Sequence, residues 1–210
     1  MPMFGTIERL PIEDADITIH HDVSLPRESE ELLRHLIETT PWQSQCVKLW
    51  GKSVPQPRLI AWYGDEGATY SYSGIVLPPH RWTETIQQLR ECVDQVAQHR
   101  FNSVLLNYYR DHRDGMGLHS DDEPELGPRP TIASLSLGEE RRFQLKHRQR
   151  KDMPTLSIPL PNGSLLVSRG DTQRCWKHGI PKQRAPCGPR VNLTFRKIVP
   201  QMTSRTAGAC

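Results

Sequence analysis

Two kinds of hydrophobic spacing divide the chain. In residues 26–40, PRESEELLRHLIETT, the apolar positions Leu32, Leu33, Leu36 and Ile37 recur at helical spacing and form one stripe. Pro26 suits a first turn, and the acids after it complement the positive end of a helix. Residues 83–99, TETIQQLRECVDQVAQH, carry Ile86, Leu89, Val93 and Val96 in the same pattern, which predicts a second helix. Both stripes are read as core. From Phe101 onward the period shortens, and SVLLNYY, TIASLSL, RFQLKH, LSIPL, SLLVS and RVNLTFRKI follow one another between turn signals. That is the rhythm of a sandwich or barrel rather than of βαβ units. One helical layer ahead of a β-rich half predicts an α+β, β-rich fold, a jelly roll with N-terminal helices supporting one face. Residues 1–23 read as an irregular lead-in, 24–200 as a single domain and 201–210 as a tail, with no internal repeat.

Composition narrows the class. The chain has 210 residues, 36% of them hydrophobic, with 18 Pro and 14 Gly, enough for one well-buried domain rich in turns. No apolar run approaches the ~18 residues of a membrane span. The start, MPMFGTIERLPIEDAD, lacks the order of a signal peptide, so the expected location is a bacterial cytoplasm, or the nucleus of a eukaryote. The five cysteines, Cys46, Cys92, Cys175, Cys187 and Cys210, are odd in number and form no C-x-x-C pair, against a disulfide framework or a zinc finger. The net charge of +3 is too mild to identify a partner, so the distribution of charge matters more than its sum.

Within GLHSDDEPE (117–125), one histidine is crowded by acids in a basic chain. Two readings are open: a solvated acidic turn ended by Pro124, or a metal site in which His119 and Asp121 alternate along a strand and project from one face. Of nine histidines, His178 also stands out, following the strand SLLVS and its turn. Two histidines and one carboxylate can occupy a face of an octahedral metal and leave three positions open, as in non-haem Fe(II) oxygenases. In RVNLTFR, period two sets Arg190, Asn192, Thr194 and Arg196 on one face and Val191, Leu193 and Phe195 on the other. Two guanidiniums on one strand face call for an anion, either Asp and Glu side chains or a bound dicarboxylate. Asn107 and Tyr109, two apart in LLNYYRD, offer further hydrogen bonds to a carboxylate.

Three blocks in this order, FNSVLLNYYRDHRDGMGLHSDDEPELGPRPTIASLSLG, GSLLVSRGDTQRCWKHGIP and PRVNLTFRK, resemble the AlkB family of Fe(II)- and 2-oxoglutarate-dependent dioxygenases. The likeness is to its second and third vertebrate homologues and their bacterial relatives, over roughly residues 40–200. The resemblance implies a double-stranded β-helix, with a nucleotide-recognition segment in 45–80. It implies His119, Asp121 and His178 as iron ligands, and Arg190, Thr194 and Arg196, with Asn107, Tyr109 and the neighbouring Asn192, around 2-oxoglutarate. The implied reaction consumes O₂ and converts 2-oxoglutarate to succinate and CO₂. It hydroxylates an N-methyl group on a DNA base such as 1-methyladenine or 3-methylcytosine, which then leaves as formaldehyde. RNA or a protein side chain is the alternative substrate, and a non-catalytic DNA-binding member the alternative of another class. The protein is expected to act as a monomer, away from membranes.

The same resemblance bears on base recognition. Glu123 matches a pocket acid facing the cationic methylated base. GDEGATYSYSG (64–74) matches the recognition segment, where Tyr70 or Tyr72 stacks on a flipped base and Ser73 and Arg58 are further contacts. KLWGK (48–52) matches a hairpin whose tip wedges into duplex DNA, with Trp50 as the finger or else as a core residue. RRFQLKHRQRK (141–151) holds six Arg or Lys and no acid, read as a solvated loop or as a contact for phosphates.

Overall fold

The computed structural model describes residues 5–49, 52–68, 70–72 and 75–199. Its larger sheet has eight antiparallel strands: β1 (Ile7–Arg9), β2 (Asp16–His20), β3 (Gln43–Leu49), β4 (Lys52–Gly64), β7 (Ser103–Tyr109), β9 (Ile132–Gly138), β12 (Leu165–Arg169) and β14 (Arg190–Arg196), in the order β1-β2-β12-β9-β14-β7-β4-β3. A second sheet orders β11 (Leu156–Leu160), β10 (Arg141–His147), β13 (Trp176–Ile180) and β8 (Met116–His119). A small ribbon pairs β5 (Tyr70–Tyr72) with β6 (Ile75–Leu77). The jelly roll expected from the sequence is the fold observed.

The two expected helices form as α1 (Ser29–Thr39) and α2 (Glu84–Ala97). Thr83 caps α2, its hydroxyl accepting the Ile86 N–H at 3.3 Å, and Gln98 ends it in the left-handed region. Pro26 lies ahead of α1 rather than in its first turn. Leu32 and Leu36 from α1, and Ile86, Leu89 and Val93 from α2, pack with Val104, Leu106, Leu135, Val191, Leu193 and Phe195 in one buried cluster. The helices therefore cover one face of the large sheet. Period two sends the alternate residues of β7 and β14 to the other face, toward the small sheet. Ile17, Ile19, Leu145, Leu160, Leu166 and Trp176 form a second cluster that joins the two sheets.

The N-terminal stretch is a correction. Residues 16–20 are not an irregular lead-in but a strand of the large sheet, paired Leu166 to Ile19 and Val167 to Thr18. Ile17 and Ile19 are each 1% exposed, and their burial against β12 holds in place an alternation only five residues long.

Candidate functional site: a metal and anion cavity between the sheets

A cavity opens between the two sheets. His119, Asp121 and His178 line it, as do Asn107, Tyr109, Arg190, Asn192, Thr194 and Arg196. All nine residues expected to bind metal or cosubstrate thus meet in one place.

The metal-ligand group is built by two strands and a turn. His119 ends β8 and His178 lies opposite it on β13. The strands approach so closely there that a Cβ on Gly179 would lie 2.8 Å from the Met116 carbonyl oxygen and 3.0 Å from that of Gly117. Asp121 is not on a strand, so the expected alternation along one strand does not hold. The chain turns beyond His119, and the turn brings Asp121 Oδ1 to 3.5 Å from His119 Nε2. One ligand atom from each of the three residues lies within 4.8 Å of the others.

The charge state of each ligand suits a cation. His119 Nδ1 lies 3.0 Å from the Gly117 carbonyl oxygen, which makes it the N–H donor and leaves a lone pair on Nε2. Burial opposes ionisation of Asp121, yet the Arg196 guanidinium and the neighbouring His119 hold its carboxyl well below the usual range. Burial, reinforced by His119 and Arg196 and opposed by Asp121, pulls the His178 imidazole down to about 3, so it is neutral at pH 7. Its ring stacks on Phe143, with centroids 5.3 Å apart. His119 Nε2 and Asp121 Oδ1 are buried without a hydrogen-bond partner, electron pairs facing one space. A divalent cation fits that donor set.

The anion end lies on β14. Arg190 is 1% exposed and donates one bond, from Nη2 to Ser136 Oγ at 2.9 Å. Its Nε and Nη1 are buried with no hydrogen-bond partner, and burial lowers the guanidinium to about 10. The Tyr109 ring lies 5.3 Å from it, and the phenol's hydrogen bond is to the Met116 sulfur at 3.9 Å. Unmet donors of this kind form a receptor for a carboxylate. Arg196 behaves differently: its Nη2 donates to Asp121 Oδ2 at 2.8 Å, so this guanidinium orients the Asp121 carboxylate. Asn192 donates to Ser134 Oγ and the Leu135 carbonyl and accepts from Thr194, which commits its amide to the protein.

The residues expected to recognise a base fare unevenly. Trp50 and Ser73 lie outside the described residues. Tyr70 and Tyr72 sit at the two ends of β5, opposite Leu77 and Ile75. Glu123 is half-buried, at the start of a single 3-10 turn, Pro124–Leu126. Arg58 is 3% exposed and directed inward, its Nε donating to Asn107 Oδ1 at 2.7 Å. The basic run 141–151 is not uniformly a surface feature. Arg141 is fully buried on β10, donating to the Asp114 and Pro181 carbonyls at 2.8 Å. Arg148 pairs with Asp122, and Arg150 with Glu13 and Asp152. Arg142, Lys146 and Lys151 remain exposed.

Sequence reasoning missed Ser134, Ser136, Phe143, Ser168 and Gln173, all at the cavity or bonded to residues in it. The serines at 134 and 136 alternate with leucines in TIASLSL, a signal that was present. Nothing in the sequence singled out Gln173.

Comparison with known proteins accords with this geometry. The model of the 2OG-Fe(II) oxygenase superfamily matches residues 16–196. The chain is 38% identical over 182 residues to mouse alpha-ketoglutarate-dependent dioxygenase alkB homolog 3, covering 83% of this chain and 63% of that protein. It is 40% identical over 159 residues to the human DNA oxidative demethylase ALKBH2, covering 73% of this chain and 61% of the relative. The chain thus spans about three-fifths of the length of these curated relatives. A solved structure titled "The structure of OsALKBH1" shares the fold, with a TM-score of 0.61 at 18% identity over 86% of this chain and 97% of that one. The chain is also 38% identical over 182 residues to the mouse DNA oxidative demethylase ALKBH2, covering 82% of this chain and 76% of that protein. It belongs to the 2OG-Fe(II) oxygenase superfamily and, within it, to the AlkB family.

Proposed function

We propose that this chain is an Fe(II)- and 2-oxoglutarate-dependent dioxygenase that demethylates N-alkylated DNA bases such as 1-methyladenine and 3-methylcytosine, in direct repair of alkylation damage. The observation that carries the reading is the pairing of two receptors in one buried cavity. One is the converging lone pairs of His119, Asp121 and His178, and the other the unmet Nε and Nη1 of Arg190. A dicarboxylate that also bears a keto group can reach both.

Bound iron and 2-oxoglutarate supply the activation of O₂ that hydroxylates a methyl group, with succinate and CO₂ as by-products and formaldehyde lost from the hydroxymethyl base. The chain's own residues place the reactants. Three protein ligands leave open positions for the cosubstrate and O₂. Arg190 and the Tyr109 phenol hold the distal carboxylate, while Arg196 keeps Asp121 ionised and oriented. Low-dielectric walls, among them Leu166, Ile132 and Phe143, exclude water and strengthen these electrostatic contacts.

Methylation at N1 of adenine or N3 of cytosine leaves the base cationic. Glu123, which matches a pocket acid of the family, is the acid assigned to the flipped base, while Asp122 pairs with Arg148. The exposed Arg142, Lys146 and Lys151 suit phosphates by counterion release.

Formaldehyde release tests the reading on four oligonucleotides: methylated single-stranded DNA, methylated duplex, methylated RNA and unmethylated DNA. Methylated DNA should yield formaldehyde and unmethylated DNA none. Release from RNA alone would move the substrate to RNA, and release from none would remove the demethylase reading. The two relatives' names, a dioxygenase and a DNA oxidative demethylase, support DNA as the first substrate to try.

A further inference from the structure

Asp121 lies beyond the end of β8, outside the ladder of paired strands. Its peptide N–H is taken instead by a side chain, Gln173 Oε1, at 3.0 Å. The other end of that amide is anchored, Gln173 Nε2 donating to Ser168 Oγ on β12 at 3.1 Å. Gln173 is 5% exposed and lines the cavity. Methionine, of similar length, would fill this place without the cost of dehydrating an amide. The amide earns its place by bridging β12 to the turn that carries Asp121.

Gln173 belongs to a short helical turn, α3 (Thr172–Cys175), which runs directly into β13 and His178. A second tie runs in parallel, Ser120 Oγ donating to the Trp176 carbonyl at 3.0 Å. The segment that presents His178 therefore also locates Asp121. Arg196 fixes the Asp121 carboxylate but not its backbone, and Gln173 supplies that missing constraint.

We infer that Gln173 is a positioning residue for the metal site, holding the Asp121 backbone so that its carboxylate meets the metal together with His119 and His178. The inference rests on the reading of these three residues as metal ligands. Groups that orient metal ligands typically contribute about 10- to 100-fold in metal affinity.

Titration of the full chain with Co(II) alone, followed by visible absorption, tests it, because the spectrum reports ligand geometry as well as affinity. Gln173→Met should bind Co(II) about 10- to 100-fold more weakly, with an altered band shape. Its metal-free melting midpoint should stay within about 4 °C of wild type. A folded Gln173→Met with wild-type affinity and spectrum overturns the inference alone. A wild-type chain that takes up no Co(II) overturns the metal-site reading and this inference with it. If Gln173→Met does not fold, Ser168→Ala decides, since it removes only the anchor of the amide. Binding weakened about threefold or more supports the inference, and wild-type affinity overturns it.

Discussion

Under the proposed function, Arg190 would serve the site at the expense of stability. Its guanidinium is buried with one hydrogen bond and two unmet donors, a costly state until an anion arrives. Arg190→Met keeps most of the volume and removes the charge. The variant should lose 2-oxoglutarate affinity by ~2–5 kcal/mol, the range for truncating one partner of a buried charge pair. The ligand-free chain should melt at the wild-type temperature or higher, because an unpaired buried charge is gone. Calorimetry and thermal melts check both halves. A variant that binds 2-oxoglutarate normally and melts much lower would make Arg190 a structural residue. Residues of this kind also divide into those visible in the sequence and those hidden. Arg190, Thr194 and Arg196 were legible because period two isolates them from Val191, Leu193 and Phe195. Arg141 was not: within a run of basic residues it looks solvated, and only the fold reveals the Asp114 and Pro181 carbonyls that accept its hydrogen bonds.

At the scale of elements, the meeting of β8 and β13 decides whether a metal site exists. Gly179 permits it, because any Cβ there would press on the Met116 and Gly117 carbonyls at 2.8 and 3.0 Å. Gly179→Ala should force the strands apart where His119 faces His178, and metal affinity should fall about tenfold or more. The helix-covered face of the large sheet, which Gly179 does not touch, should leave far-UV circular dichroism unchanged. Metal affinity equal to wild type would show that the strands can yield without cost. The same glycines explain what the sequence concealed. MGLH and WKHGI lack the run of branched and aromatic residues that marks a strand, whereas SVLLNYY and LSIPL show it clearly. The helices were legible because their apolar positions recur at helical spacing, over nearly three turns from Ile86 to Val96 in α2. β2 was not, since five residues of alternation acquire meaning only from pairing with β12.

For the whole molecule, the half-buried imidazole of His178 ties stability to pH. Burial first, then His119 and Arg196 against Asp121, lowers it from 6.5 to about 3. Above pH 6.5 neither the folded nor the unfolded chain protonates this ring, and its contribution to stability is fully present. Below 6.5 the unfolded chain binds a proton that the folded chain refuses, so stability falls as pH drops toward about 3. His20 and His99, both lowered chiefly by burial, act in the same direction. Denaturant unfolding of the metal-free chain should therefore show a loss of at least about 1 kcal/mol between pH 7 and pH 5.5. Stability that rose over this interval would mean that the fold does not hold the imidazole neutral.

We propose that the ligand triad and Arg190 act on one cosubstrate. If so, metal and 2-oxoglutarate must bind cooperatively, each strengthening the other by the same factor. Calorimetric titration of 2-oxoglutarate into the metal-free chain and into the chain loaded with redox-silent Mn(II) measures that factor directly. Binding in the Mn(II) form should be at least about tenfold tighter, from a coupling of roughly 1–3 kcal/mol. The gain should disappear in Asp121→Ala. Equal affinity with and without metal would place the anion and the metal in separate sites and contradict the account.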